Sequence, residues 1–127
     1  MLVRTFWFLL SVGRITLPLA PNVMSRKCTS RVYMAHLASK WSLLIINALD
    51  DQPRRNGELM RVVDGISQKM LTQTLRQLEE INVVSRHDMQ TIPPNVVYEL
   101  TPLGRSLRNE VRSFIKWVET HMPELHA

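Results

Sequence analysis

Residues 64–81, D-G-I-S-Q-K-M-L-T-Q-T-L-R-Q-L-E-E-I, decide how the rest of the chain is read. Gly65 suits the left-handed backbone that closes one helix, and Ser67 suits the N-cap of the next. With Ser67 as N-cap, Ile66 falls at N′ and Leu71 at N4, the two positions of a hydrophobic staple. Leu71, Leu75 and Leu78 then recur at the four- and three-residue spacing of one helix face. The opposite face carries Lys69, Thr72, Gln73 and Arg76, with no carboxylate before Glu79 and Glu80. The pattern predicts a helix, a tight turn and a second helix whose donors suit guanine edges, adenine edges and phosphates in a major groove. A merely solvated amphipathic helix shares the leucine spacing. What separates the two readings is position, because the polar residues crowd the N-terminal half directly after the turn, where a helix-turn-helix touches bases. Ser67 and Gln68, at the start of the helix, are expected near the phosphates.

Upstream, K-W-S-L-L-I-I-N-A-L (40–49) is apolar nearly all round and predicts a central, buried helix with Trp41 as a core anchor. Asp50, Asp51 and Pro53 end it. Asn56 is expected to cap a short third helix, with Glu58 near its positive end and Leu59, Val62 and Val63 facing inward. Before these, residues 31–39 form a further largely apolar helical pattern through Val32, Met34, Ala35, Leu37 and Ala38.

Downstream the period changes to that of strands. Residues 83–89 and 95–100 are two β-rich runs separated by Q-T-I-P-P, whose prolines prevent ladder bonding and place a hairpin tip. A hairpin directly after a recognition helix is the wing of a winged helix, and Arg86 and His87 are its candidate phosphate contacts, with a solvated strand face as the plain alternative. Thr101 and Pro102 suit the N-cap and N1 of a last helix. Along it Leu103, Leu107, Val111, Phe114, Ile115, Trp117 and Val118 make a stripe roughly 160° wide, broader than the ~100° of an ordinary surface helix. Leu107, Val111, Phe114, Ile115 and Val118 are therefore candidates for a dimer interface. A two-fold dimer would set two recognition helices about 34–36 Å apart, one turn of DNA.

The 127 residues suffice for one domain with its own core. The net charge of +5 suits a polyanionic partner without identifying it. Residues 1–23 read differently. Their apolar run F-W-F-L-L is too short and interrupted to span a bilayer; Arg4, the apolar middle and L-P-L-A (17–20) make a weak signal-peptide pattern, which Arg14 interrupts. They are expected to be a poorly structured extension upstream of a natural start at Met24, with residues 24–127 as the DNA-binding domain. Without Arg4 and Arg14 the 16 basic residues become 14 against 11 acidic ones, a balance of +3.

K-W-S-L-L (40–44), G-E-L (57–59), G-I-S-Q-K-M-L-T-Q-T-L-R-Q-L-E (65–79), P-P-N-V-V-Y-E-L-T (93–101) and L-G (103–104), in this order and spacing, resemble the HxlR-type family of small bacterial winged-helix regulators, related to the MarR group. The resemblance covers about residues 28–117. It implies a homodimer on palindromic operator DNA and transcriptional control. The chain departs from the family at Asn56, where an aromatic is common, at Ile81-Asn82, where a turn such as Asp-Gly often stands, at Thr29 after Cys28, where proline is usual, and at Ala38, where glycine is frequent.

Cys28 matches an N-terminal cysteine that senses quinones, hypochlorite or related electrophiles in some family members. Arg26, Lys27 and Arg31 lie near it in sequence and would favour the reactive thiolate. The alternative is an inert structural thiol. As a single cysteine it makes no internal disulfide. His36, His87, His121 and His126 are too dispersed for a metal cage, and neither a phosphate-binding glycine loop nor a paired nucleophile and base is present. The expectation is thus an α+β, mostly helical winged helix-turn-helix with a two-stranded wing and a C-terminal dimerisation helix. Its partners would be double-stranded DNA, a second copy of the chain and a small electrophile or oxidant effector, with no cofactor, metal, membrane or catalytic role, in the cytoplasm at the nucleoid. A winged-helix module for protein–protein contact, without specific DNA binding, is the alternative from another class. Intact-mass measurement of the native protein is expected to place its N-terminus at Met24; a mass beginning at Met1, or cut after Ala20, would overturn that start.

Overall fold

A computed structural model of the chain describes residues 20–126; residues 1–19, most of the expected extension, lie outside the described residues. The chain divides into two compact units between Met34 and Ala35. In the first, residues 22–28 form successive turns, with the Ser25 N–H on the Asn22 carbonyl (3.0 Å) and the Cys28 N–H on the Ser25 carbonyl (3.1 Å). Arg31 donates to the carbonyls of Val23 (2.9 Å) and Met24 (3.0 Å), tying this turn to the start of helix α1, Ser30–Leu37. None of the residues of α1 is buried.

The second unit is built on α2, Lys40–Leu49. Ser39 caps it, accepting the Ser42 N–H at 3.3 Å, and the buried Ser42 hydroxyl donates to the His36 carbonyl at 2.7 Å, so the one polar side chain buried in this helix is satisfied. Ile45, Ile46, Ala48 and Leu49 fill the centre of the core. Trp41 is only half-buried, packed against the core with the Lys40 ammonium 4.3 Å from its ring centroid. After the turn at 50–53 comes β1, Arg54–Arg55, a two-residue strand that the sequence reading did not contain. Its Arg54 Nε donates to the Ala48 carbonyl at 2.6 Å, binding the strand to the end of α2.

Helix α3, Asn56–Val62, begins one residue earlier than an Asn56 cap would place it. Arg55 is the capping residue, and Glu58 Oε1 accepts its N–H at 3.1 Å. Leu59 and Val63 are buried as expected, whereas Val62 is 52% exposed. At 100° per residue Val62 lies about 60° to one side of Leu59, at the edge of the inner face, and the core is filled by Leu59 and the capping residue Val63. Gly65 adopts φ +89°, the left-handed turn that α4, Gln68–Glu80, requires before it.

The wing is β2, Val84–Asp88, against β3, Val96–Leu100, paired antiparallel with Val84 opposite Leu100 and Asp88 opposite Val96. Strand β1 adds to the other edge of β3, Arg54 opposite Tyr98, giving a three-stranded sheet in the order β1-β3-β2. The last helix, α5, Pro102–Leu125, starts as expected, with Thr101 accepting the Gly104 N–H at 3.0 Å and Pro102 in the first turn. Among the described residues no helix is long and apolar enough to cross a membrane.

The root of α5 is closely packed against the start of the wing. Thr101 donates its hydroxyl to the Asn82 carbonyl at 2.7 Å and its N–H to the Val83 carbonyl at 3.0 Å. A Cβ on Gly104 would lie 2.2 Å from that same Val83 oxygen. Gly104→Ala is therefore expected to destabilise the fold by about 1–3 kcal/mol, seen in denaturant unfolding as a lower midpoint at unchanged slope; an unchanged midpoint would show that the contact is not a constraint.

Candidate nucleic-acid interface

Helix α4 presents its two faces as the leucine spacing predicts. Ser67 accepts the Met70 N–H at 3.0 Å, and both staple residues, Ile66 and Leu71, belong to the core. Leu71, Leu75 and Leu78 are buried together with Thr74, whose hydroxyl donates to the Met70 carbonyl at 2.7 Å. At ~1.5–3 kcal/mol for each large apolar side chain buried, these leucines fix which face turns outward. That outward face carries Gln68, Lys69, Thr72, Gln73 and Arg76, all exposed. The Gln68 amide donates to the Thr72 hydroxyl at 3.0 Å, pre-ordering two of them. From Gln68 to Arg76 the strip is about 12 Å long at 1.5 Å per residue, and the major groove is about 12 Å wide. Glu79 and Glu80 lie beyond it, exposed, at the far end. The helix closes at Ile81, and Asn82 takes φ +64°, supplying with an asparagine the left-handed turn that glycine often provides.

The wing separates the two residues expected to act together. Strand residues alternate faces, and the register puts Arg86 with Val84, Tyr98 and Leu100, whereas His87 lies on the other face with Ser85, Val97 and Glu99. His87 Nε2 stands 2.7 Å from Glu99 Oε1, so a carboxylate already occupies it. Arg86 is exposed and remains the basic side chain of the wing. The His87–Glu99 pair was beyond sequence reasoning because it depends on the register of a hairpin whose loop length does not fix it.

The stripe of α5 divides lengthwise. Val111 is buried in the chain's own core, and Leu107 and Ile115 pack against it. Val118 is half-buried, while Phe114 and Trp117 are 54% and 50% exposed. The helix is held on α2 by Arg108 with Asp51 and Arg112 with Asp50, and by Arg108 Nε 3.4 Å from Asp50. Two acidic residues at a helix end and arginines four apart are the trace these pairs leave in the sequence.

Around Cys28 the structure differs from the expectation of neighbouring cations. The Arg31 guanidinium is occupied by two backbone carbonyls. The sulfur instead accepts the Ser30 hydroxyl at 3.0 Å and the Asn22 N–H at 3.4 Å. The thiol is held below its ordinary value, first by the Ser30 side chain, then by the Ser30 and Asn22 backbone N–H groups, against a small opposing effect of burial. With a folded value below the unfolded one, the thiolate's contribution to stability is present above the unfolded value and is lost as pH falls through the folded one.

The HxlR-like helix-turn-helix family model matches residues 36–126. The chain is 37% identical over 106 residues, 84% of each sequence, to an uncharacterized HTH-type transcriptional regulator, YtfH, of Escherichia coli K12. It superposes on the structure of a putative transcriptional regulator, ytfH from Salmonella typhimurium, with TM-score 0.79 and 36% identity, over 84% of this chain and 95% of that one. It also matches the redox regulator HypR in its oxidized form, with TM-score 0.67 and 32% identity, over 73% of this chain and 96% of the other. This winged helix-turn-helix chain belongs to the HxlR-like helix-turn-helix family, whose relatives here are transcriptional regulators.

Proposed function

We propose that the chain regulates transcription as a homodimer on a palindromic operator in double-stranded DNA, without catalysis or a cofactor, in the cytoplasm at the nucleoid. The observation that carries this reading is the outward face of α4, five exposed polar or cationic side chains with no carboxylate among them, opposite a face of buried leucines. Lys69, Thr72, Gln73 and Arg76 read base edges in the major groove, and Ser67 and Gln68 lie toward the phosphates. Arg86 makes the wing's phosphate contact, and His87 joins it only by leaving Glu99. The dimer forms on α5 through Phe114, Trp117 and Val118, with Leu107 and Ile115 at the edge and Val111 supporting them from the core.

Cys28 makes the regulator responsive to electrophiles or oxidants. Its support is a partly exposed sulfur held toward the thiolate by Ser30 and Asn22, in a chain similar to a protein described as a redox regulator.

Arg76→Ala is expected to weaken operator binding by about 1–3 kcal/mol and to relax the preference at a single guanine; an equal loss on every sequence would make Arg76 a phosphate contact instead. Binding by the wild type should fall steeply as salt rises, and the absence of specific DNA binding at low salt would favour a protein-interaction module. The rate of Cys28 alkylation is expected to rise with pH through a midpoint below that of free cysteine, with Ser30→Ala moving it up. Quinone treatment should change operator affinity in the wild type and not in Cys28→Ser, and equal responses would remove the sensing role.

A further inference from the structure

We propose that the ion pairs joining α5 to the end of α2, Arg108 with Asp51 and Arg112 with Asp50, are the rotational stop of α5 and thereby select the spacing between the two half-sites of the operator. The inference rests on the homodimer and DNA-binding reading above and adds to it the residues that set the distance between the two copies of α4.

The apolar packing of α5 is narrow. Of its 24 residues only Gly104 and Val111 are buried, with Leu107 and Ile115 packed against the core on either side of Val111. Leu107, Val111 and Ile115 recur every fourth residue and so form one row along the helix. A cylinder held along one row can still roll about it. At 100° per residue Arg108 and Arg112 lie about 60–100° to one side of Val111, and Phe114 and Trp117 about 60–120° to the other. The arginines therefore hold down the flank opposite the exposed aromatic one, and how closely they are drawn to α2 sets how far Phe114 and Trp117 turn outward.

The seat of this stop is braced. Asp50 and Asp51 stand where α2 ends, in a turn closed by the Gln52 N–H on the carbonyl of the buried Leu49 at 3.0 Å. Arg112 Nη2 donates to Asp50 Oδ1, and Arg108 Nη1 donates to Asp51 Oδ1. Arg108 Nε is buried 3.4 Å from the same Asp50 oxygen, without the alignment of a hydrogen bond. The Arg108 side chain is largely covered. Rolling α5 away from α2 would strip this desolvated guanidinium of both carboxylates, which costs more than parting a solvated pair. At the root, Thr101 on Asn82 and Gly104 against the Val83 carbonyl prevent the helix from sliding, so roll is the freedom that remains.

A small roll is enough to matter for DNA. In a two-fold dimer joined through the aromatic flank, each α4 stands about 17 Å from the axis, half of the ~34 Å of one DNA turn. A roll of about 6° at both roots displaces the two copies of α4 by about 1.8 Å each, together about the 3.4 Å rise of one base pair. The stop therefore acts at the scale that separates one operator spacing from the next.

The probe is the duplex that the full-length wild-type chain enriches from a random-sequence pool, remade with its half-sites one or two base pairs closer or farther apart, together with a duplex carrying one half-site. The wild type is expected to prefer a single spacing. Asp51→Asn and Arg112→Gln alter exposed residues. Each should reduce the preference over neighbouring spacings roughly threefold to fivefold, the worth of a partly exposed ion pair. Half-site affinity, and dimerisation read by sedimentation, should stay at wild-type values. Ile45→Val, which loosens the core away from the stop, should keep the wild-type spacing profile. If the two variants keep that profile, or lose affinity equally at every spacing, the proposal is overturned while DNA binding stands. If the wild type enriches no sequence, enriches only single half-sites or sediments as a monomer, the underlying reading fails, and the proposal with it.

Discussion

The carbonyl of Val83 is the point at which the chain's working parts meet. It accepts the Thr101 N–H, and α5 passes so close to it that position 104 has no room for a side chain. One residue earlier, the Asn82 carbonyl takes the Thr101 hydroxyl, and Asn82 itself makes the left-handed turn out of α4. The end of α4, the root of the wing and the start of the last helix are thus pinned within a few residues of one another. A close approach of this kind is steric before it is energetic. Overpacked cores relax by shifting backbone, and any shift here moves α4, the wing and α5 together.

From that junction the two ends of the second unit are stabilised differently. On the α4 side the determinant is apolar, since Leu71, Leu75 and Leu78 are at or near complete burial and leave the opposite face to solvent. On the α5 side apolar packing stops partway, at Val111 with Leu107 and Ile115, and Phe114 and Trp117 stand out from it. Arg108 and Arg112 then hold the helix against Asp50 and Asp51. The Arg112–Asp50 pair is half-exposed and worth only ~0–1 kcal/mol, while the Arg108 side chain is largely covered. The arrangement leaves an aromatic face open on a helix whose base is rigid.

The turns and caps were readable because their chemistry is local. As turn and capping residues Gly65, Ser67, Thr101 and Pro102 serve backbone groups within four residues of themselves, and each sits where its residue type says it should. The third helix was read one residue out of place, since Glu58 caps it by reaching back to the Arg55 N–H rather than by Asn56 standing at the cap. The environment of Cys28 was misread for a related reason. Nearness in sequence put cations beside the sulfur, but Arg31 found backbone carbonyls and left Ser30 and Asn22 as its partners.

The sequence by itself determined the helix order, the inward face of α4, the caps of α4 and α5 and the position of the hairpin, because spacing along a helix and the backbone preferences of glycine, proline, serine and threonine need no distant partner. Tertiary structure alone decided what depends on residues far apart in the chain. Two arginines became a third strand only by finding β3. His87 turned from Arg86 toward Glu99 once the register was set. The wide stripe of α5 was divided between core and surface by the place α2 took against it. In each case a side chain's role was set by a partner that composition and periodicity do not name.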